Sequence, residues 1–245
     1  MRSRTLAAAA LAGMAAAALY AQAQAPAAAA PSKAGGVQTQ ATLAEMTPAK
    51  ALFALTDGNA RFVAGQREPR DYKAQVHATA SGQYPFAAIV SCMDSRAPVE
   101  IVFDRGIGDV FSIRNAGNVI DQDVLGSLEY AAQVVGVKLI LVMGHTHCGA
   151  VKGAIDGVQL GNLTQLLEKI RPAVGGKVPP AGSKDDAFVA KVGRDNVFLA
   201  SQEIYKKSPI IKALVDSRKV AIANAMYDVD TGKVSIEKLP ESNKN

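Results

Sequence analysis

Three apolar runs of strand length, residues 86–91, 110–114 and 138–143, punctuate the chain and are each bounded by polar or turn residues. Such runs predict strands buried on both faces. Between the second and third, residues 122–135 place Val124, Leu125, Leu128, Ala131, Ala132 and Val135 at helical spacing. The result is a strand-helix-strand unit with a parallel pair. Upstream, Thr47 can cap a helix and Pro48 suits its first position. Leu52, Phe53, Leu55, Phe62 and Val63 then form an apolar stripe that ends near Gly65.

Residues 66–84 are polar, carry Pro69 and Gly82, and read as a loop or arm. Further on, residues 163–170, 185–205 and 209–216 read as helices, and residues 220–227 as a fourth strand. Asp230-Thr231-Gly232 turns that strand into an edge strand over 234–239. The expected architecture is α/β, a mostly parallel central β-sheet of four strands plus an antiparallel edge strand, flanked by helices.

The N-terminus is patterned differently. Met1-Arg2-Ser3-Arg4 precedes an apolar run over 6–19, and Ala21-Gln22-Ala23 supplies a small-x-small cleavage pattern. Residues 1–23 therefore read as a secretory signal peptide. A run of about 14 apolar residues falls short of the roughly 20 that a spanning helix needs. Residues 24–46 read as a flexible leader rich in Ala and Pro, and 47–245 as the folded domain. The expectation is a periplasmic or secreted protein, off the membrane once the signal is cleaved.

With 49% hydrophobic and 20% charged positions in 245 residues, the composition suits one globular domain. The formal charge of +5 is modest, and Lys and Arg are scattered without aromatic platforms between them, which argues against nucleic acid as a partner.

The chain has two Cys, Cys92 and Cys148, each directly after a strand of the expected parallel sheet, where open α/β folds bind ligands. Alone, the pair suits a disulfide in an exported protein. Their neighbours point elsewhere, because Asp94 and Arg96 follow Cys92 and His145 precedes Cys148 by three residues. Two thiolates and an imidazole suit a tetrahedral zinc ion with its fourth position open to water. His147 lies in the same turn and reads as packing or facing solvent, and His77 as a surface residue.

Three motifs occur in order: Cys-x-Asp-Ser-Arg from Cys92, then Arg114-Asn115-Ala116-Gly117-Asn118, then His-x-x-Cys-Gly from His145. Together they resemble the signature of the β-class carbonic anhydrases. The likeness spans roughly residues 47–239 and includes the Tyr227-Asp228-Val229-Asp230-Thr231-Gly232 hairpin. It implies a lyase holding one Zn2+ per subunit through Cys92, His145 and Cys148, which hydrates carbon dioxide to bicarbonate by a zinc-bound hydroxide.

The resemblance also makes Asp94 and Arg96 a catalytic pair, with Asp94 a fourth zinc ligand in a closed state. It implies a substrate pocket of Gln83, Phe111, Ala116, Tyr130 and Gly149, partly supplied by a neighbouring subunit, in a homodimer or homotetramer. Members that close the site resemble one another in carrying a Trp near the metal loop. This chain has no Trp, and Ile89 stands three residues before Cys92, so the open form is expected. Two thiolates should leave the metal-bound water less acidic than three imidazoles would, which implies an alkaline optimum. Other readings are hydrolysis of carbonyl sulfide or carbon disulfide at the same site, and a non-catalytic exported module closed by a Cys92 to Cys148 disulfide.

Overall fold

The computed structural model describes residues 36–237. The expected signal peptide and the end of the expected last strand, at 238–239, lie outside the described residues. A five-stranded sheet with order β2-β1-β3-β4-β5 forms the centre. Its strands are β1 (Ala87–Cys92), β2 (Val110–Asn115), β3 (Leu139–His145), β4 (Ala221–Tyr227) and β5 (Val234–Glu237). The first four pair in parallel and β5 is antiparallel to β4, as the apolar runs predict.

Every residue of β1 and β3 is buried, which accounts for their unbroken apolar runs. Side chains alternate across the sheet. Ala87, Ile89, Leu139 and Leu141 face a core shared with Ala51 and Leu55 of helix α2 (Pro48–Val63). Ala88, Val90, Ile140 and Val142 face the opposite core. There they meet Val124 and Leu128 of α5 (Gln122–Glu129), Ile204 of α8 (Asp186–Lys207) and Ile211 of α9 (Pro209–Asp216).

Caps explain the helix starts. The Thr47 side chain accepts from Lys50 N, Asp121 from Val124 N, Asp185 from Phe188 N and Ser208 from Ile211 N. The helix expected over 122–135 is α-helical only to Glu129 and continues as a π-helical turn, Tyr130–Val135, closed by Gly136 at φ 89°.

Five elements depart from the sequence reading. A short helix α1 (Gln40–Ala44) lies inside the segment read as leader, and Leu43, 6% exposed, joins the core, so the packed unit begins before Thr47. Residues 66–84 hold helix α3 (Tyr72–Thr79), capped by Asp71. Its apolar Tyr72 and Val76 are exposed and only Gln75 is buried, so it has no inward stripe for periodicity to reveal. Helices α4 (Val99–Val102) and α6 (Gly149–Ile155) span too few turns to show a period. Helix α7 (Gly161–Val174) runs longer at both ends than the expected 163–170.

One buried ion cluster ties the arm to the sheet. Asp104, at φ 47° after α4, receives Arg61 Nε at 2.7 Å and also pairs with Arg70, whose Nη2 donates to the Asp104 carbonyl at 2.6 Å. Burial works against the Asp104 carboxylate, but hydrogen bonds from Arg61, the Glu68 amide and Arg70 outweigh it and hold its pKa below the usual value. A depressed carboxyl pKa contributes stability above its unfolded value, and that contribution is lost as pH falls through the folded one. Asp104→Asn removes the buried partner charge of Arg70 and leaves it only the exposed Glu68. It should therefore cost about 3 kcal/mol at neutral pH. In urea unfolding followed from pH 7 downward, the difference from wild type should shrink below roughly pH 4.

Candidate metal centre

Parallel pairing of β1 with β3 brings Cys92, the last residue of β1, beside His145, the last residue of β3. The chain then turns through Thr146 and His147, the latter at φ 56°, and delivers Cys148 as the residue that starts α6. Cys92, His145 and Cys148 are each at most 6% exposed. Their ligand atoms all lie within 4.8 Å of one another.

The two sulfurs stand 4.0 Å apart and both cysteines are free. A disulfide would need about 2.05 Å. Two thiolates on a tetrahedral zinc, each about 2.3 Å from it, would be separated by about 3.8 Å. The Cys92 to Cys148 disulfide is thus replaced by an open pair of metal-ligand type. His145 supports the same reading. Its Nδ1 faces the Thr146 carbonyl at 2.8 Å, while Nε2 is buried without a hydrogen-bond partner among the described residues. An orphaned, buried imidazole nitrogen beside two sulfurs is a lone pair directed at an acceptor such as a metal ion.

The electrostatics favour a thiolate. The contact from Cys148 pulls the Cys92 pKa well below the usual thiol range; His145 and the backbone amides of Gly117 and Asp94 add to it against the cost of burial. Cys148 is pushed up by the same contact, because the second proton must leave a buried site that already holds one negative sulfur. Burial disfavours a charged His145, but the adjacent Cys92 outweighs it and raises the imidazole pKa.

Asp94 and Arg96 form a bidentate pair beside this cluster. Asp94 Oδ1 accepts from Arg96 N and Nε at 2.9 Å each, and Oδ2 from Nη2 at 2.8 Å. The guanidinium holds the Asp94 carboxyl far below the usual carboxylate range. Asp94 Oδ2 lies 3.7 Å from His145 Nε2, at the edge of the ligand set, while still engaged with Arg96.

Other groups fix these loops, and the motifs alone assigned them no role. Arg114 Nε donates to the Cys92 carbonyl at 3.1 Å and Nη2 to the Asp94 carbonyl at 2.5 Å. Tyr227 Oη donates to the Arg96 carbonyl at 3.3 Å, and Gly117 N donates to Cys92 Sγ at 3.3 Å. The position of Arg114 and Gly117 inside the second motif was a signal for both. Tyr227 opens the hairpin that carries part of the likeness, but that motif gave no sign of its contact with the Arg96 carbonyl.

Of the expected pocket residues, Ala116 follows β2 directly beside Cys92, whose register partner is Asn115, and Gly149 adjoins Cys148 at the start of α6. Gln83, Phe111 and Tyr130 are not brought to the triad within the chain. Phe111 pairs with Ala88, four residues before Cys92, or about 13 Å along the strand. Its ring meets Tyr130 edge-on at 6.3 Å in a groove of about 600 Å³ along β2, the edge strand. Gln83 is exposed before β1, at the opposite end of that strand from Cys92. His147 is exposed and its Nε2 lies 3.3 Å from Asp230 on the hairpin, and His77 is exposed on α3.

A family model described as carbonic anhydrase matches residues 87–234. Carbonic anhydrase 2 of Mycobacterium tuberculosis is 37% identical over 192 residues, which cover 76% of this chain and 91% of that protein. Among solved structures, a β-carbonic anhydrase of Aspergillus fumigatus is similar with a TM-score of 0.63 at 25% identity, covering 70% of this chain and 84% of its own. One of two tetrameric β-carbonic anhydrases from Sordaria macrospora is similar with a TM-score of 0.58 at 25% identity, covering 76% and 95%.

The geometry predicts two free thiols. Titration of the denatured, chelator-treated chain without reductant should count both Cys92 and Cys148. Cys148→Ser should fold with wild-type circular dichroism and retain less than about a tenth of the wild-type metal by elemental analysis, because a buried alcohol is a poor ligand for a soft site.

Proposed function

The chain belongs to the carbonic anhydrase family, in its β class, and we propose that it hydrates carbon dioxide reversibly to bicarbonate and a proton at one zinc ion per subunit held by Cys92, His145 and Cys148. The observation that carries this reading is the buried triad, with its two unbonded sulfurs and unpartnered Nε2, beside the Asp94–Arg96 pair.

Zinc bound there would supply a Lewis acid that lowers the pKa of water and makes it a nucleophile. The chain's own groups do the rest. Asp94 stays ionised, because Arg96 depresses its pKa, and so it accepts a hydrogen bond at Oδ2 rather than delivering a proton. That acceptor orients the attacking water beside the triad. Arg96 holds the carboxylate in place through two parallel contacts. Cys92 and Cys148 bring more negative charge than imidazoles would, which favours an alkaline working range.

Asp94 engaged with Arg96 also supports the open form of the site, as do the lack of Trp and the presence of Ile89 before the metal loop. Phe111 and Tyr130 lie along the open edge of the sheet, and the Sordaria macrospora relatives are tetrameric. Both support a homo-oligomer in which a second copy meets this edge and shares Gln83, Phe111 and Tyr130 with the neighbouring site. The layout of residues 1–23 supports export to the periplasm or beyond, and no helix among the described residues is long and apolar enough to cross a membrane.

Stopped-flow hydration by the purified, zinc-loaded protein should show activity that rises above neutral pH. Asp94→Ala should lower kcat/KM by about tenfold or more while keeping its zinc. Activity within twofold of wild type would remove Asp94 from the mechanism. Carbonyl sulfide and carbon disulfide assayed on the same preparation should turn over far more slowly than carbon dioxide.

A further inference from the structure

We propose that Asn196, in the middle of α8, is a positioning residue for the metal centre that acts through Gly117 to aim a backbone N–H at the Cys92 sulfur. The proposal rests on the metal reading given above.

Asn196 is 4% exposed, on a helix whose buried positions are otherwise apolar or small. Its Nδ2 donates to the Gly117 carbonyl at 2.8 Å across a sequence separation of 79 residues. Gly117 in turn donates its N–H to Cys92 Sγ at 3.3 Å. The two contacts anchor the successive peptide planes that meet at the Gly117 Cα, so holding the carbonyl restricts the loop that points the N–H at sulfur. Gly117 has φ 69°, and a Cβ there would come within 2.5 Å of Ile170 Cδ1 and 3.1 Å of Ala150 Cβ. Glycine alone fits this turn between β2 and α5. Asn115 closes the same turn by donating Nδ2 to the Val119 carbonyl at 2.9 Å.

An N–H donated to a thiolate is a charge-assisted hydrogen bond. It orients the sulfur lone pairs and draws electron density from them, so the group that holds the donor tunes both metal affinity and the metal–sulfur bond. Asn196 is placed for that task, because it reaches the loop from the helical layer without touching the ligands.

The test uses the full-length chain loaded with zinc or cobalt(II). Asn196→Asp keeps the shape and removes the donor, and Asn196→Leu removes the polarity. Each should weaken zinc binding by about tenfold in chelator competition. Each should also shift the thiolate-to-cobalt charge-transfer band to lower energy, because the sulfur becomes more electron-rich. Ile204→Ala, a cavity two turns along the same helix, should lower stability and leave both readouts unchanged. Rescue towards wild type by Asn196→Gln would support a side-chain amide as the required group.

Asn196 variants with wild-type affinity and spectrum would overturn the proposal, as would variants that behave like Ile204→Ala. If the variants do not fold, cadmium-113 substitution of the wild type decides: coupling between the metal and the Gly117 amide proton supports the proposal, and its absence overturns it. A wild-type chain that takes up neither zinc nor cobalt would sink the metal reading and this one with it. Wild-type uptake with unaltered Asn196 variants sinks this one alone.

Discussion

Two sulfurs held 4.0 Å apart with no bond between them, next to an imidazole nitrogen with no partner, form the constraint around which the sheet is organised. The arrangement requires β3 to end one residue beyond β1. Parallel pairing with Ser91 against Met143 sets that offset and leaves Cys92 and His145 as the closing residues of their strands. A slip of one residue by either strand would turn that strand's side chains to the other face of the sheet. Full burial of both strands resists such a slip, since it would exchange the contents of two separate cores. The hydrophobic pattern and the ligand geometry are therefore one specification.

Strand pairing alone leaves three loops free to drift at the site, and polar groups fix each of them. Arg114 binds the Cys92 and Asp94 carbonyls, Tyr227 the Arg96 carbonyl, and the Thr146 hydroxyl accepts from Val229 N on the hairpin. These contacts go to backbone carbonyls and amides rather than to the ligating atoms. They leave the ligands free to bind while restricting where they stand, which is how outer residues preorganise a metal site.

The legibility of the sequence follows the range of each interaction. The strands were legible because burial on both faces leaves an unbroken apolar run, and the candidate site because Cys92, Asp94 and Arg96, and His145 with Cys148, are each packed into five residues or fewer. Helices α4 and α6 were not, since one or two turns carry no measurable period. Helix α3 was missed for another reason: Tyr72 and Val76 point away from the chain's own core, so its apolar positions carry no amphipathic signal within one subunit. Leu43 was hidden by an Ala-rich neighbourhood that reads as leader. Tyr227 and Asn196 lie far along the chain from the loops they hold, and such pairing is visible only once the strands and helices are placed.

The same contacts decide what the site costs without its ion. A buried imidazole nitrogen with no partner forfeits about 1–3 kcal/mol. Two buried sulfurs so close favour a single shared proton over full ionisation of both, because the second negative charge would sit beside the first in a buried site. An unconstrained loop would relieve both penalties by swinging His145 outward or by joining the sulfurs. The fold resists both movements, because His145 belongs to a fully buried strand, Cys92 is tied through Gly117, and Cys148 starts a helix whose Val151 and Ala154 are buried. On the proposed metal reading, a cation that met all three donors at once would satisfy them together, and the rigidity of the fold would add to affinity for it.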